Sequence, residues 1–61
     1  MVSRTVEVNV SLARKLLKYK IQIKVNNKWY DFKVHKVVKL FDNKYHANNY
    51  GKQLNPNHIE L

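Results

Sequence analysis

The chain has 61 residues, with twelve Lys and Arg against four Asp and Glu and a formal net charge of +8. A domain of that length buries only about 60% of its unfolded-chain surface, and with no cysteine neither a disulfide nor a thiolate metal site can supplement its core. A hydrophobic content of 44% with seven aromatic residues excludes a disordered basic tail, and the short apolar runs exclude a membrane span.

A field of this sign attracts polyanions: nucleic acid first, then an anionic membrane or an acidic protein. With no uninterrupted apolar N-terminal stretch to act as a signal peptide, a soluble, cytoplasmic protein is expected. The abundance of Asn and Lys also fits an AT-rich coding genome, which discounts part of the charge argument.

From the N-terminus, Val6, Val8 and Val10 alternate with Thr5, Glu7 and Asn9, so Val2 to Val10 is expected to be a strand with one apolar edge. Ser11 is a favoured N-cap. Leu12, Ala13, Leu16 and Leu17 follow at helical spacing, with Arg14, Lys15 and Lys18 on the other side, so Ser11 to Lys18 is expected to be a short amphipathic helix. Two turns are marginal alone, so this helix should lie on a sheet.

The stretch from Lys20 to His35 reads as a β-hairpin. Ile21, Ile23 and Val25 alternate with Lys20, Gln22 and Lys24; after Asn26-Asn27 the alternation resumes as Tyr30, Phe32 and Val34 against Trp29, Asp31, Lys33 and His35. A two-residue turn at the asparagines opposes Val25 with Lys28, Ile23 with Tyr30, Ile21 with Phe32 and Tyr19 with Val34. One face is then apolar. The other sets Lys20 beside Lys33, Gln22 beside Asp31 and Lys24 beside Trp29, and a one-residue slip would exchange the two faces.

Beyond the hairpin, Val38 and Leu40 continue the even-numbered apolar positions, with a bend expected near Lys36. Asp42-Asn43 reads as a second turn that opposes Leu40 with Tyr45 and Val38 with Ala47. Gly51, the single glycine, is expected at a positive φ. Asn55-Pro56-Asn57 reads as a tight turn before a last strand of His58 to Leu61. A helical reading of Tyr30, Val34, Val37 and Phe41 would instead make a ribbon-helix-helix dimer, but the β-branched residues and the alternation favour strands.

From Lys20 onward the chain resembles SH3-like small β-barrels, in their Tudor-like, chromo-barrel or Sm-like branches. The features that carry the resemblance are Ile21 to Val25, Trp29-Tyr30 with Phe32 and Val34, Val37 to Phe41, Tyr45 to Gly51, Asn55-Pro56-Asn57 and Ile59-Glu60-Leu61. It implies a mainly β (α+β) fold: a small five-stranded barrel or strongly bent antiparallel sheet, with one short N-terminal helix, in a single basic domain over 1–61. The helix before the first barrel strand looks Sm-like, but Asn26-Asn27-Lys28 stands where that family carries a glycine, so its RNA site is not carried over. Small archaeal chromatin barrels, similar in size and charge, lay a basic, partly aromatic sheet on DNA.

The candidate interface follows from these faces. Lys20, Lys24, Trp29, Lys33 and His35 form a basic sheet surface, where ammonium groups would neutralise phosphates and a flat ring would stack on a base. Arg14, Lys15 and Lys18 on the helix and Lys36, Lys39 and Lys44 beyond the hairpin extend it. The bland counterpart is a solvated sheet face with a tryptophan covering part of the core. An aromatic cage of Trp29, Tyr30, Tyr45 and Tyr50 for a methylated basic side chain is disfavoured by the net charge and by parity, which turns Tyr30 and Tyr45 inward.

His35, His46 and His58 match no metal-ligand spacing, and the four carboxylates, Glu7, Asp31, Asp42 and Glu60, are scattered; neither a cofactor nor an enzyme is expected. The leading expectation is a weakly sequence-selective DNA- or RNA-binding protein. The alternative is a phage- or mobile-element-type factor docking on an acidic host protein. The strand Val2 to Val10 offers a surface for a homodimer.

Overall fold

The computed structural model describes residues 2–11, 13–14 and 16–54. Over these residues the chain is mainly β, with an antiparallel sheet and one short helix. Strand β1 (Val2–Ser11) runs antiparallel to β2 (Leu16–Val25), from Val2 opposite Lys24 to Ser11 opposite Leu16, with a bulge between Asn9 and Ser11. On its other side β2 pairs with β3 (Lys28–Asp31), joined by the Asn26-Asn27 turn, in which φ is 51° and 67°. Positive φ at both positions is what a two-residue hairpin of matching twist requires, and Asn tolerates it. The expected register holds: Val25 opposes Lys28, Ile23 opposes Tyr30, Lys24 opposes Trp29 and Gln22 opposes Asp31.

The third strand is interrupted after Asp31. The Phe32 amide still donates to the Ile21 carbonyl at 2.8 Å, but the chain then turns out into a hairpin of β4 (Lys33–Val34) and β5 (Val37–Val38). Its tip, His35-Lys36, has φ of 53° and 65°, a second turn of the same kind. The Lys39 amide donates to the Phe32 carbonyl at 3.1 Å and closes the base of the loop. Strand β6 (Leu40–Phe41) then resumes pairing with β2, with Leu40 opposite Lys20 and Phe41 opposite Tyr19. The expected pairs Lys20 with Lys33 and Tyr19 with Val34 are therefore corrected. An uninterrupted strand would have opposed two lysines, which is unfavourable; the excursion replaces Lys33 by Leu40 and Val34 by the larger Phe41.

Two further expectations are overturned. Ser11 belongs to β1 and Leu16–Lys18 to β2, with Ala13 and Arg14 in the turn between them, so the expected N-terminal helix over 11–18 is replaced by two strand ends. Extending a ladder adds cross-strand bonds to an existing sheet, whereas a two-turn helix must first be nucleated. The second hairpin is likewise replaced by a helix, α1 (Lys44–Lys52). Asn43 caps it, with extended backbone at φ −132° and ψ 129° and its side-chain oxygen accepting from the Tyr45 amide at 2.7 Å. Residues 43–54 contain no β-branched side chain, and Ala47, Gly51 and Leu54 recur at helical spacing. Gly51 lies within this helix without a positive φ.

Helix α1 lies on one face of the sheet, against β1 and β2. Buried Ile21, Ile23, Phe32 and Ala47 form the core, with Tyr19, Val25, Phe41 and Leu54 packed around them. Tyr50 closes it, its ring centroid 5.7 Å from Phe32 and 5.3 Å from Phe41, within the range of favourable tilted aromatic pairs. At Gly51 a Cβ would stand 3.4 Å from Ser3 Oγ and 3.8 Å from two Ile21 methyl groups. Among the described residues the sheet is open: β1 forms one edge, and the broken β3/β6 strand the other. The expected turn at Asn55-Pro56-Asn57 and last strand of His58 to Leu61 lie outside the described residues, as does Lys15.

Candidate nucleic-acid interface

Register decides which side chains share the face opposite the helix. Residues directly opposed in an antiparallel pair point the same way. Ser3 and Thr5, opposite Ile23 and Ile21, therefore lie on the helix face, and the Thr5 hydroxyl donates to the Asn48 side-chain oxygen. The outer face takes Val2, Arg4, Val6 and Val8 from β1, and Lys18, Lys20, Gln22 and Lys24 from β2. Trp29, Asp31 and Leu40 complete it. The valine row of β1 is thus on the solvent side of the sheet, and its polar row meets the helix.

At the centre of this face the Arg4 guanidinium sits 4.0 Å from the Trp29 ring centroid, and the Lys24 ammonium 5.9 Å from it. Both are within cation–π range, with Arg4 the closer. Arg4 Nε donates to Gln22 Oε1 at 2.8 Å, and Gln22 Nε2 donates in turn to Asp31 Oδ1 at 3.0 Å. The Lys20 ammonium approaches the same Asp31 oxygen at 2.9 Å. The Gln22 hydrogen bond first, then the Lys20 contact, hold the Asp31 carboxyl below the usual carboxylate value. At the far end Lys18 pairs with Asp42, whose carboxyl is lowered chiefly by that contact.

Two of the four cations on this face are thus committed to carboxylates. Arg4 and Lys24 are not, among the described residues. Arg4 is held by neutral partners that fix its orientation while leaving its charge uncompensated, and Lys24 is exposed.

No family model, curated protein or solved structure matches the chain.

Of the residues anticipated from sequence, the structure brings Lys18, Lys20, Lys24 and Trp29 together on the outer face. Lys33, His35 and Lys36 leave the sheet with the β4–β5 hairpin, and Lys39 stands at its base with its ammonium 5.6 Å from the Phe41 ring. Arg14 is exposed in the β1–β2 turn, and Lys44 opens the helix with its ammonium 5.4 Å from the Tyr45 ring. Neither joins the Trp29 cluster. Tyr30 follows Trp29 on the opposite face, and Tyr45, expected in the core, is 65% exposed on the helix; with Tyr50 set against Phe32 and Phe41 the four rings do not converge as a cage. Among the described residues no three His, Cys, Asp or Glu side chains gather, and no helix is long and apolar enough to cross a membrane.

Arg4 was not anticipated. Its signal lay in register: with β1 paired directly to β2 around Ala13-Arg14, even-numbered residues of both strands share a face, and Arg4 falls beside Gln22.

Proposed function

We propose that the protein binds nucleic acid through the outer face of its sheet, with affinity dominated by phosphate contacts and weak sequence selectivity. The observation that carries this reading is the uncovered face on which Arg4 is stacked over Trp29 beside Lys24, both cations without a carboxylate partner among the described residues. A guanidinium held over the ring and pre-oriented by its hydrogen bond to Gln22 loses little further entropy on meeting a phosphate. The net charge of +8 supplies the long-range attraction. The lysines of the β4–β5 hairpin extend the basic field away from the sheet. Because Arg4 already occupies one face of the indole, Trp29 acts first as the platform for that cation rather than as a base-stacking ring. The layout of small basic barrels that lay a sheet on DNA supports the reading through sequence resemblance, and a cytoplasmic location goes with it.

The test is an electrophoretic mobility assay with duplex DNA, single-stranded DNA and RNA. Arg4→Glu with Lys24→Glu should weaken binding at least about tenfold through loss and reversal of two phosphate-facing charges. Trp29→Ala should weaken it less. Reversal at Arg14 and Lys44, which lie away from the cluster, should have the smaller effect of net charge alone. Equal effects from the two charge-reversal pairs would show that the face is not the site, and retention only of an acidic protein after nuclease treatment would replace the reading.

A further inference from the structure

The two edges of the sheet are built differently. On the β3/β6 side the edge is short, four residues and then two; it is broken by the hairpin, begins with Lys28 and has Lys39 at the break. Short, interrupted, lysine-bearing edges are the usual means of preventing strand addition. The β1 edge has none of these. It runs ten residues, Val2–Ser11, as VSRTVEVNVS, without lysine or proline. Its only charges are Arg4 and Glu7, so this strand is neutral in a chain of net charge +8.

Half of the strand is β-branched Val or Thr, the residue types that favour strand pairing. Its outward backbone groups have no backbone partner among the described residues. On the outer face Val2 remains 57% exposed and Val6 and Val8 are half-buried; Val10, 43% exposed, lies in the bulge between Asn9 and Ser11. The helix holds the strand from the other face, through Thr5 with Asn48 and Gly51 against Ser3, so the edge is ordered before any partner arrives.

We infer that β1 is a dimerisation edge, which pairs antiparallel with β1 of a second copy to form one continuous sheet. The occupant follows from charge. A polyanion is drawn to the cationic surfaces, whereas the neutral strand matches a strand as neutral as itself. A two-fold axis at Val6 opposes Val6 with its own copy and Arg4 with Val8 on the outer face, and Glu7 with Thr5 on the helix face, all within the regular part of the strand before the bulge. Opposed residues then share parity, no like charges meet directly, and the valines form an apolar seam. The outer faces of both copies join, which places two Arg4–Trp29 clusters on one surface. The pairing does not depend on what that surface binds.

Because each copy carries +8, repulsion between subunits opposes association and salt screens it. Dimerisation should therefore strengthen with ionic strength, opposite to phosphate binding, so failure of either reading is recognised separately. The experiment is sedimentation equilibrium on the full chain, freed of nucleic acid by nuclease treatment and purification, from about 10 μM to about 1 mM protein, at about 50 mM and about 500 mM salt. The expected result is a monomer–dimer equilibrium whose dissociation constant falls several-fold at the higher salt. Val6→Glu, which sets two glutamates face to face at the axis while opposing Lys20 within its own subunit, should abolish the dimer while leaving the circular dichroism of the monomer unchanged; Val37→Glu on the hairpin should leave the dimer intact. Amide exchange of the unsubstituted protein provides a second readout, with outward-facing β1 amides slowing as concentration rises. A monomer throughout, or concentration-independent protection of those amides, overturns the inference.

Discussion

Gly51→Ala discriminates between two local structures of the same sequence. In the structure Gly51 is the penultimate residue of α1 and has no positive φ, so alanine adopts its backbone without strain. In a helix interior Ala is favoured over Gly by about 1 kcal/mol, and one residue from the end about half to all of that should be realised. The added methyl would stand 3.4 Å from Ser3 Oγ and 3.8 Å from two Ile21 methyl groups. These are ordinary contacts, and the nearer atom belongs to a rotatable hydroxyl. The net expectation is stabilisation by about 0.5–1 kcal/mol. For a domain of this size that is a rise in Tm of about 2–8 °C, measurable by thermal unfolding followed by circular dichroism. A turn glycine at positive φ would give the opposite sign, so a fall in Tm would refute the placement of Gly51 in the helix or the ability of Ser3 to yield.

Asn43→Ala removes the oxygen that accepts from the Tyr45 amide and should destabilise the protein by about 1 kcal/mol in urea unfolding; an unchanged midpoint would mean that the cap is not used. Asp31 is held below its usual pKa by Gln22 and Lys20, so its contribution is present above the unfolded value and lost as pH falls through the folded one. Unfolding midpoints should therefore decline from about pH 4 downward. Asp31→Asn should flatten that decline; a variant as acid-sensitive as the parent would contradict the assignment.

The hairpin was legible because Ile21 to Phe32 carries strict alternation around a turn dipeptide, and burial of two isoleucines leaves one register. The same rule failed beyond Val34 because it treats a strand as unbroken. His35-Lys36 carries no glycine and only a weak turn signal, yet both residues adopt positive φ, and Leu40–Phe41 completes the ladder. The missed helix had signals of another kind. From Asn43 to Leu54 there is a capping residue, no β-branched side chain and an apolar spacing of three and four, but Tyr45 and Ala47 also happened to sit at alternate positions opposite Leu40 and Val38. At the N-terminal end the leucines at 12, 16 and 17 mimicked a helical stripe, and Leu16 and Leu17 prove to be exposed strand residues. Of the site, the Lys24–Trp29 pair was readable within one hairpin. Arg4 required knowing that β1 pairs with β2, a relation between distant residues that local pattern does not contain.

Phosphate binding by the outer face is read from the salt dependence of affinity for duplex DNA. If Arg4, Lys24 and two or three of the hairpin lysines each neutralise a phosphate, the slope of log K against log salt should be about −3.6 to −4.5, and Arg4→Gln with Lys24→Gln should reduce its magnitude by about 1.8. A slope near zero, or one unchanged by those two substitutions but reduced by Arg14→Gln with Lys44→Gln, would contradict the outer face as the binding surface.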